Sequence, residues 1–493
     1  MDQETLEDHL RKATRQGTAR LPEDRVFALG RDLARELVAA HAETPPRHPP
    51  LDPPDVLMVD GAPRLGAGQP GAVAEDIFRL GALLNALALG RPAVPAWRLD
   101  GPPPAEVSTV RRRAILAGLA APRPSERYAS AADALAGLES ALAPAGAESP
   151  SWPMFRGDAA RAGARPAGAA ARALEHRWQA RVGPVAASPL IAGDVVIVAT
   201  ADGRLAFLDR RTGRVLAEVR VGSAVESSPA IAAGAIHVGT DDGTMVAIGL
   251  GEGRERYRTK LGGMVRSSPL AAHGLVIVGT VDAKGQGALV ALEEGGRPRW
   301  TRRLASVFSS TTLIGDAVVV GADDGSLHAF DAASGTPRWS QKIGAKVRAT
   351  ATASGETLSV AAFDGTVVSV RATDGVRGWE RAIGHGVYSS ACAASGVLAF
   401  GCHEGHVHGL DAATGAVRFQ ADTRGPVLSS PAAIGDRILV SSTDGHAYLL
   451  DATGAILSRV PLPGGAAQSS PAVEGADAFL GGSTGVHALG LVR

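Results

Sequence analysis

The chain has 493 residues, of which 45% are hydrophobic and 20% are charged, so it is long enough for two or three folded domains and too apolar to be disordered. Fifty acidic residues balance fifty basic ones, and this lack of a net field gives no support to non-specific binding of nucleic acid or of an anionic membrane. The first ten residues carry four acidic side chains and no apolar core, a pattern that does not fit a secretory signal. No apolar run in the sequence reaches the roughly 18 residues of a membrane span. We therefore expect a cytoplasmic protein without membrane insertion.

Residues 1–142 are predicted to form a first, mostly helical domain. A helix from about Leu21 to Ala42 is predicted because apolar residues recur at helical spacing along one face, at Val26, Leu29, Leu33 and Leu37. The proline-rich stretch from Pro45 to Pro54 then forbids regular helix. The elements predicted after it are a strand and turn at Val56–Gly61 and helices at Ala74–Leu89 and Ser130–Leu142.

Three short motifs accompany this order of elements: Glu75–Gly81 with an acidic residue at Asp76, then Gly90-Arg91-Pro92, and later Pro124–Tyr128. Together they resemble the C-terminal lobe of bacterial serine/threonine protein kinases over roughly residues 5–142. In that family they correspond to the start of the central helix, the residues that follow it and the late structural arginine. The resemblance implies a truncated kinase-like lobe at the start of the chain.

Every catalytic element departs from the kinase pattern. Aligning Asp55-Val56-Leu57 with the family's asparagine and following strand puts Pro50 of His48-Pro49-Pro50 at the catalytic aspartate, and Asp52 at the substrate-phosphate lysine. The metal-binding Asp-Phe-Gly is reduced to Leu65-Gly66-Ala67-Gly68, about seven residues before Asp76. The nucleotide-binding lobe has no counterpart in the sequence. Phosphoryl transfer needs carboxylates on magnesium, a lysine on the phosphates and a positioned base, so we predict a catalytically dead pseudokinase remnant.

From residue 172 to residue 493 the sequence repeats itself eight times. The second member of a small, mostly polar pair marks each repeat at intervals of 40 residues, with one interval of 42, at Ser188, Ser228, Ser268, Ser310, Thr350, Ser390, Ser430 and Ser470. Turn dipeptides such as Asp324-Gly325 and Asp364-Gly365 follow in phase. Self-similarity at this period indicates a solenoid, a propeller or an array.

One repeat predicts four short strands. In the fourth repeat, Ala317–Gly321 is rich in β-branched residues, and Asp324-Gly325 predicts a type I′ turn with two positive φ values, so a hairpin follows. Asp331–Gly335 predicts an Asx-type turn that ends on a left-handed glycine. Forty residues with four strands and no room for a helix are the content of one propeller blade. We therefore predict an all-β, eight-bladed propeller.

The two ends of the repeat region predict how the ring closes. The last repeat ends at Arg493 after its third strand and lacks an outer strand. His176–Val182 can supply that strand, because Trp178 holds the position that aromatic residues hold in other repeats, namely Trp300, Trp339, Trp379 and Phe419. Such pairing removes an open sheet edge that otherwise invites aggregation.

Two stretches carry a resemblance to a second family. Ala329–Trp339 resembles the tryptophan-docking motif of the pyrroloquinoline-quinone-type propellers, and Ser151–Asp158 resembles their lead-in, so residues 143–171 are interpreted as linker and lead-in. The resemblance covers about two-thirds of the chain and implies that each tryptophan stacks on the neighbouring blade. It also extends to the propeller lipoprotein of outer-membrane assembly, whose export signal and lipid-attachment cysteine have no match here.

The same family includes quinone-dependent dehydrogenases, which keeps a redox enzyme with a quinone in the channel as an alternative. The resemblance implies an adjacent cysteine pair, a tryptophan floor and a calcium site of acidic and amide side chains. This chain has no Cys-Cys, and Asn85 is its only asparagine. Cys392 and Cys402 are predicted to be buried free thiols. We therefore predict no catalytic residue and no cofactor.

The densest cluster of potential metal ligands is Cys402–His408, whose histidines could partly share one face of a hairpin: His403, His406 and His408. Other repeats have unrelated residues at most of these positions. His328 and Tyr448, which are in register with His408, have no second histidine cluster beside them. Solvent-facing strand histidines are therefore favoured over a three-imidazole site, and no metal is predicted.

The position just before the small polar pair varies freely, although the repeat is strict on both sides of it: Ala186, Glu226, Arg266, Phe308, Arg348, Tyr388, Leu428 and Gln468. If the inner strand begins here, these side chains form a ring at one mouth of the channel. The predicted partner-binding members are Glu226, Arg266, Phe308, Arg348, Tyr388 and Gln468, and the alternative is a water-filled funnel. The sequence thus favours a non-catalytic scaffold or sensor with protein partners that it does not identify.

Overall fold

The computed structural model describes residues 23–42, 56–59, 62–65, 151–165, 171–251, 253–466 and 468–492, together with 80–81, 83–84, 115, 119, 130–132, 134–135 and 138. The chain divides into two compact units. The first is Met1–Ala147 together with Gly251–Gly253, and the second consists of Glu148–Leu250 and Arg254–Arg493.

The first unit contains the predicted helix, α1 (Glu23–Ala42), and the predicted strand, β1 (Val56–Val59), which pairs antiparallel with β2 (Ala62–Leu65). The apolar face of α1 is buried as its spacing predicts. It shares one core with helical residues further along the chain: Leu80, Leu83, Leu84, Ile115, Leu119, Ala131, Ala134 and Leu138. Ile115 and Leu119 are helical where no helix was predicted. None of the helices in the described ranges is both long and apolar enough to cross a bilayer.

The residues aligned with kinase catalytic positions fall outside the described ranges, except Leu65 at the end of β2. They are His48-Pro49-Pro50, Asp52, Gly66–Gly68 and Asp76. Gly90-Arg91-Pro92 and Pro124–Tyr128 fall outside them as well. The kinase-like nature of the first unit therefore stays a prediction.

The second unit is an eight-bladed β-propeller, which confirms the blade count predicted from the repeat. Eight sheets follow one another, each built on four antiparallel strands, and in blades 1 to 7 these four strands pair in chain order. In every blade the first strand is innermost and three residues long. Before the first blade come β3 (Ala164–Arg165) and β4 (Ala173–Ala180).

Blades 1 to 4 comprise the following strands. Blade 1 has β5 (Leu190–Ala192), β6 (Val195–Ala199), β7 (Arg204–Asp209) and β8 (Val215–Arg220). Blade 2 has β9 (Ala230–Ala232), β10 (Ala235–Gly239), β11 (Thr244–Gly249) and β12 (Glu255–Lys260). Blade 3 has β13 (Leu270–Ala272), β14 (Leu275–Val281), β15 (Gln286–Glu293) and β16 (Pro298–Ala305). Blade 4 has β17 (Thr312–Ile314), β18 (Ala317–Gly321), β19 (Ser326–Asp331) and β20 (Pro337–Lys342).

Blades 5 to 8 continue the pattern. Blade 5 has β21 (Thr352–Ser354), β22 (Thr357–Ala361), β23 (Thr366–Arg371) and β24 (Arg377–Ala382). Blade 6 has β25 (Cys392–Ala394), β26 (Val397–Gly401), β27 (His406–Asp411) and β28 (Val417–Asp422). Blade 7 has β29 (Ala432–Ile434), β30 (Arg437–Ser442), β31 (His446–Asp451) and β32 (Ile456–Pro461). Blade 8 has β33 (Ala472–Glu474), β34 (Asp477–Gly481) and β35 (Val486–Val492), with β4 as its outer strand.

The turn dipeptide closes the hairpin between the second and third strands of a blade. In blade 4 the N–H of Gly325 donates to Ala322 O at 3.0 Å, and the Asp324 carboxylate accepts the N–H of Ser326 at 2.9 Å. Gly325 has a φ of +79°, whereas Asp324 is not in the left-handed region. The predicted type I′ turn is therefore wrong, because a longer loop lets the aspartate hold the turn with its side chain. A Cβ at Gly325 would lie 2.2 Å from Ala345 O, so glycine is required.

The tryptophans of the outer strands pack against the next blade, as the resemblance implies. The indole N–H of Trp339 donates to Ala372 O of blade 5 at 2.9 Å, and its ring lies against Gly375. Trp300 and Trp379 make the same bond to the blades that follow them, each at 3.1 Å. Gly375 is therefore required for two reasons: its backbone takes a positive φ, and its lack of a side chain leaves room for the indole of Trp339.

Blade 8 is built from both ends of the propeller sequence, because β4 pairs antiparallel with β35. Trp178 of β4 donates its indole N–H to Arg210 O of blade 1 at 3.1 Å, the contact that other tryptophans make between consecutive blades. The Arg210 guanidinium in turn lies 2.8 Å from the Asp477 carboxylate of blade 8. The joint between blades 8 and 1 therefore repeats the chemistry of the joints within the chain.

Candidate functional site

A closed ring of hydrogen bonds lies around the channel, one bond per blade. In each blade the second residue of the polar pair donates its backbone N–H to the side-chain hydroxyl of its counterpart in the next blade, at 2.8–3.1 Å. The last bond runs from Ser470 N–H to the Ser188 hydroxyl. We call this arrangement the hydroxyl ring. It holds the starts of the eight inner strands at the same height along the channel axis. The repeat marked these residues, but their role depends on a neighbour 40 or more residues away.

The freely varying position stands two residues before the hydroxyl ring, at one end of the channel, and its eight members are called the mouth ring below. In blade 5 the preceding residue, Val347, is fully buried and packs on Gly321, where a Cβ would lie 2.4 Å from it. The following residue, Ala349, is buried as well. Because its neighbours on both sides are fixed in the core, Arg348 extends away from the core and is free to vary without disturbing the blade.

Glu226 and Arg266, from adjacent blades, form one group in the mouth ring. The Arg266 guanidinium lies 3.1 Å from the Glu226 carboxylate and donates two hydrogen bonds to Asp241, at 2.9 and 3.2 Å. The hydrogen bonds that Arg266 donates to Asp241 raise the pKa of Arg266 above its ordinary value. Arg266 is therefore a fixed positive charge, and two carboxylates compensate it.

Phe308, Arg348 and Tyr388, from three consecutive blades, form a second group. The Arg348 guanidinium lies over the Phe308 ring, 4.3 Å from its centroid, and its Nη1 is 3.5 Å from the Tyr388 hydroxyl. Asp323 accepts two hydrogen bonds from Arg348, at 2.8 and 2.9 Å, and these raise the pKa of the guanidinium. The prediction named these three residues, and the structure brings their side chains together.

Gln468 is exposed and joins neither group within the described ranges. Ala186 and Leu428 are partly buried and carry no polar group in their side chains. The mouth ring is therefore uneven: its charged and aromatic members belong to blades 2 to 6, and the remaining arc is small or neutral.

The prediction missed a second layer of side chains at the mouth, just before the turn glycines. Asp241 and Asp323 belong to it, and so do Phe363 and His403, whose rings lie 4.9 Å from that of Tyr388. Phe363 is 39% exposed, which is unusual for a phenylalanine. The sequence carried a weaker signal than it did for the mouth ring, since this position varies directly before the recurring turn dipeptide: Ala201, Asp241, Asp323, Phe363, His403, Thr443 and Ser483.

Residues 151–165, called the plug segment below, lie at the opposite end of the channel. The backbone oxygen of Pro153 accepts the N–H of Ile231, and that of Ala159 accepts the N–H of Leu313, at 2.6 and 2.8 Å. At its end, β3 pairs in parallel with β29 of blade 7. Since these partners are inner-strand residues beyond the hydroxyl ring, the plug segment occupies this end of the channel.

Two arginines of the plug segment are buried in the propeller. Arg156 is 2% exposed and Arg161 is fully buried. Desolvation lowers the pKa of Arg156 to about 10 and that of Arg161 to about 9, so both stay charged at neutral pH. Their hydrogen bonds go to backbone carbonyls, among them Thr311 O at 2.9 Å and Pro431 O at 3.2 Å.

The histidines of Cys402–His408 do not act as one group. His403 lies at the mouth beside Tyr388, whereas His406 and His408 lie on β27 and approach His385, with ring centroids 5.7–6.2 Å apart. His408 is 4% exposed, so the predicted solvent-facing position is wrong for it; desolvation lowers its pKa to about 4. Within the described ranges no group of three or more His, Cys, Asp or Glu side chains is placed to hold a metal ion.

Both cysteines are buried free thiols, as predicted. Burial raises the pKa of the Cys392 thiol to about 11, so it is not a reactive nucleophile at neutral pH.

The repeat region matches a protein-family model, PQQ_2, described as outer membrane protein assembly factor BamB. The matched residues are 174–216, 203–314, 280–393 and 364–491, which together span more than half of the chain. No curated protein matches the chain.

Solved structures share the propeller at low sequence identity, which shows the fold alone. BamB from Moraxella catarrhalis is 19% identical, with a TM-score of 0.57 over 64% of this chain and 99% of that one. Quinohemoprotein alcohol dehydrogenase from Comamonas testosteroni is 13% identical, with a TM-score of 0.62 over 70% of this chain and 80% of that one. The computationally designed Ika8 protein is 16% identical, with a TM-score of 0.55 over 65% of this chain and 99% of that one.

Proposed function

Because this chain belongs to the PQQ_2 family, we propose that it is a non-catalytic protein-interaction scaffold or sensor. In this proposal the mouth ring and its second layer dock a protein partner, and the first unit is a catalytically dead kinase-like lobe. One observation carries the proposal. The eight blades share the same backbone arrangement, but the side chain at the mouth-ring position differs from blade to blade. A rigid frame with variable side chains is the arrangement that a recognition surface requires.

The best candidate for the docking surface is the arc over blades 4 to 6. Phe363 is exposed and contacts Tyr388, which also contacts His403, while Arg348 covers Phe308. Aromatic and arginine side chains contribute most of the free energy at protein interfaces. Because their neighbours already hold these side chains, little further conformational entropy is lost on binding.

Co-purification from the native cell tests this surface. The full chain with Phe363→Ser and Tyr388→Ser is compared with wild type and with a matched control, Ala186→Ser and Gln468→Ala, on the opposite arc of the mouth ring. We expect the first variant to lose partners that the control retains, as measured by quantitative mass spectrometry. Identical partner sets for all three proteins would refute a docking role for the arc.

The absence of kinase chemistry is tested separately on the full chain. Nothing in residues 1–142 matches the family's phosphate-binding and catalytic residues, so ATP with magnesium is expected to leave the melting temperature unchanged. Saturable stabilisation that grows with nucleotide concentration would contradict the pseudokinase assignment.

A quinone-dependent dehydrogenase is the second candidate function, and the fold shared with the Comamonas testosteroni enzyme is the observation in its favour. Against it stand the free cysteines and the arginine-bearing plug segment at one end of the channel. Incubation with pyrroloquinoline quinone and calcium, followed by gel filtration, distinguishes the two functions. Quinone absorbance that co-elutes with the protein at a fixed stoichiometry would favour the enzyme.

A cytoplasmic location is part of the proposal. It is supported by the two free thiols, since reducing compartments keep cysteines unpaired. A C-terminal fusion to a reporter that is active only in the cytoplasm checks it, and a fusion that is expressed at full length but shows no reporter activity would refute it.

A further inference from the structure

We infer that the end of the channel opposite the mouth ring is a binding site for an extended peptide with two arginines, and that the plug segment is its resident ligand. The site is separate from the docking surface proposed above, because the propeller residues to which the plug segment is seen to bond belong to the hydroxyl ring or follow it in the inner strands, on the side away from the mouth ring. Three sets of contacts carry the inference.

The first set is formed by the peptide backbone. Trp152 and Ile191 exchange two hydrogen bonds, at 3.1 and 3.3 Å, so the plug segment starts as a partner of the inner strand of blade 1. At its other end Gly163 O accepts the N–H of Ala433, and β3 then pairs with β29 of blade 7. The inner strand of a blade has one unpaired edge, and adding a strand to a free edge is a general mode of peptide recognition.

The second set is formed by two guanidinium pockets. Arg156 donates to the backbone oxygens of Ser390, Ala391 and Pro431, from blades 6 and 7. Arg161 donates to those of blades 3 and 4, namely Ser268, Pro269 and Thr311. Each guanidinium thus bridges two blades through groups that are present whatever the side chain.

Guanidinium chemistry explains why arginine occupies these pockets. A guanidinium presents five N–H donors in a rigid plane, and the two pockets supply several acceptors each around that plane. A lysine carries the same charge, but it has only three donors at a single nitrogen and would leave buried carbonyls without a partner. The site should therefore discriminate between arginine and lysine, which a purely electrostatic attraction would not do.

The third set makes the plug segment a buried ligand instead of a surface loop. Trp152 is fully buried, and the Arg165 guanidinium stacks on its ring, 4.4 Å from the centroid. Gly157 has a φ of +83°, and a Cβ there would lie 2.8 Å from the Trp152 ring. Through backbone and side chains together, the segment bonds to seven of the eight blades, 1 to 7.

The test cuts the covalent link between the plug segment and the propeller and keeps both parts in the sample. A protease recognition sequence is inserted between Pro166 and Ala170 of the full chain, and cleavage leaves β4 on the propeller fragment. A fluorescent peptide of residues 150–166 is then added, and its binding is measured by anisotropy. We expect it to bind the cleaved protein and to displace the resident segment, and to bind the uncut protein far more weakly, because a tethered ligand competes at high effective concentration.

Specificity is measured on the peptide, so that folding of the protein is not at issue. Peptides with Arg156→Lys and Arg161→Lys are expected to compete about tenfold less well for each replacement. No binding to the cleaved protein, or equal competition by the lysine peptides, would overturn the inference. A Phe363→Ser protein should bind the peptide like wild type, so loss of the docking surface and loss of this site are distinguishable.

Discussion

The two ends of the propeller channel use the same eight blades in opposite ways. At the plugged end, Arg156 and Arg161 are buried and bond to backbone carbonyls, which every repeat possesses whatever its side chains. At the mouth, Arg348 bonds to Asp323 and covers Phe308, so each contact there depends on the side chains of particular blades. The plugged end therefore depends on the ring as a whole, whereas the mouth can change one blade at a time. Stability is expected to reside in the first and recognition in the second.

The largest effect is expected from opening the ring, on which both ends depend. Deleting β4 leaves β35 with an unpaired edge and removes the Trp178 joint between blades 8 and 1. We expect aggregation, measured by size-exclusion chromatography with light scattering. Trp339→Ala, at a joint within the chain, is the control: it should cost about 3–5 kcal/mol of stability and leave a monomer. A soluble, monomeric deletion variant would show that the closure is dispensable.

Replacing one arginine at each end compares the two ends directly. Arg156→Met leaves buried carbonyls without donors, and we expect the free energy of unfolding to fall by about 3–5 kcal/mol. Arg266→Met breaks partly exposed ion pairs and should cost about 0–1 kcal/mol. Urea titrations of both variants provide the measurement, and equal losses would remove the distinction between the two ends.

Acid is expected to destabilise blade 8, in which β35 and β4 pair and close the ring. His487 of β35 is fully buried, its Nδ1 lies 3.1 Å from Nε2 of His176 on β4, and burial lowers its pKa to about 4. Burial also lowers the pKa of His176. In the unfolded chain a histidine takes up its proton near pH 6.5, so between about pH 6.5 and 4 the unfolded state binds more protons than the folded state. Stability must therefore decrease as the pH falls through this window.

The expected loss at pH 5 is about 1–2 kcal/mol for His487. His237 and His408, whose pKa values burial also lowers to about 4, act in the same direction. Urea midpoints at pH 7.5 and 5.0 measure the total, and His487→Phe should reduce the difference between them. An unchanged midpoint across this range would mean that these histidines do not stay neutral in the folded protein.

The smallest effect on stability is expected at the exposed aromatic of the mouth. Phe363→Ser should change the free energy of unfolding by less than about 1 kcal/mol, because the side chain is already partly in water. The same variant should lose the partners captured by wild type. A large loss of stability, seen in the same urea titration, would place Phe363 in the framework and not in the recognition surface.

Several features could be predicted because they depend on neighbours in sequence. The blade count follows from a pattern that recurs along the chain, and the Asx turn at Asp331 with its left-handed Gly335 lies within a single repeat. The type I′ turn at Asp324-Gly325 was wrong because the dipeptide does not reveal the length of its loop. The exposure of His408 was also wrong, because its burial depends on side chains from other elements, such as Phe400.

The candidate site was predicted only in part. The mouth ring followed from the variable position, but its partners Asp323 and Phe363 come from a turn that approaches the mouth only when the blade folds. The burial of the plug arginines in the propeller could not be predicted, since their partners in the blades lie 107 to 275 residues away and are backbone oxygens. A carbonyl is present at every position, so no residue type reveals which carbonyls will receive a donor.

The sequence by itself determined the repeating hairpins, because their turns and strand pairs join residues close along the chain and each repeat carries the same signals. Only the tertiary structure decided that Ser470 bonds to Ser188, that two arginines fill one end of the channel, and which side chains meet at the other. These contacts join residues that are distant in sequence and meet only after eight blades have formed a ring. The physical reason is that the distance between such residues depends on how all eight blades pack around the channel axis, which the sequence of a single repeat does not specify.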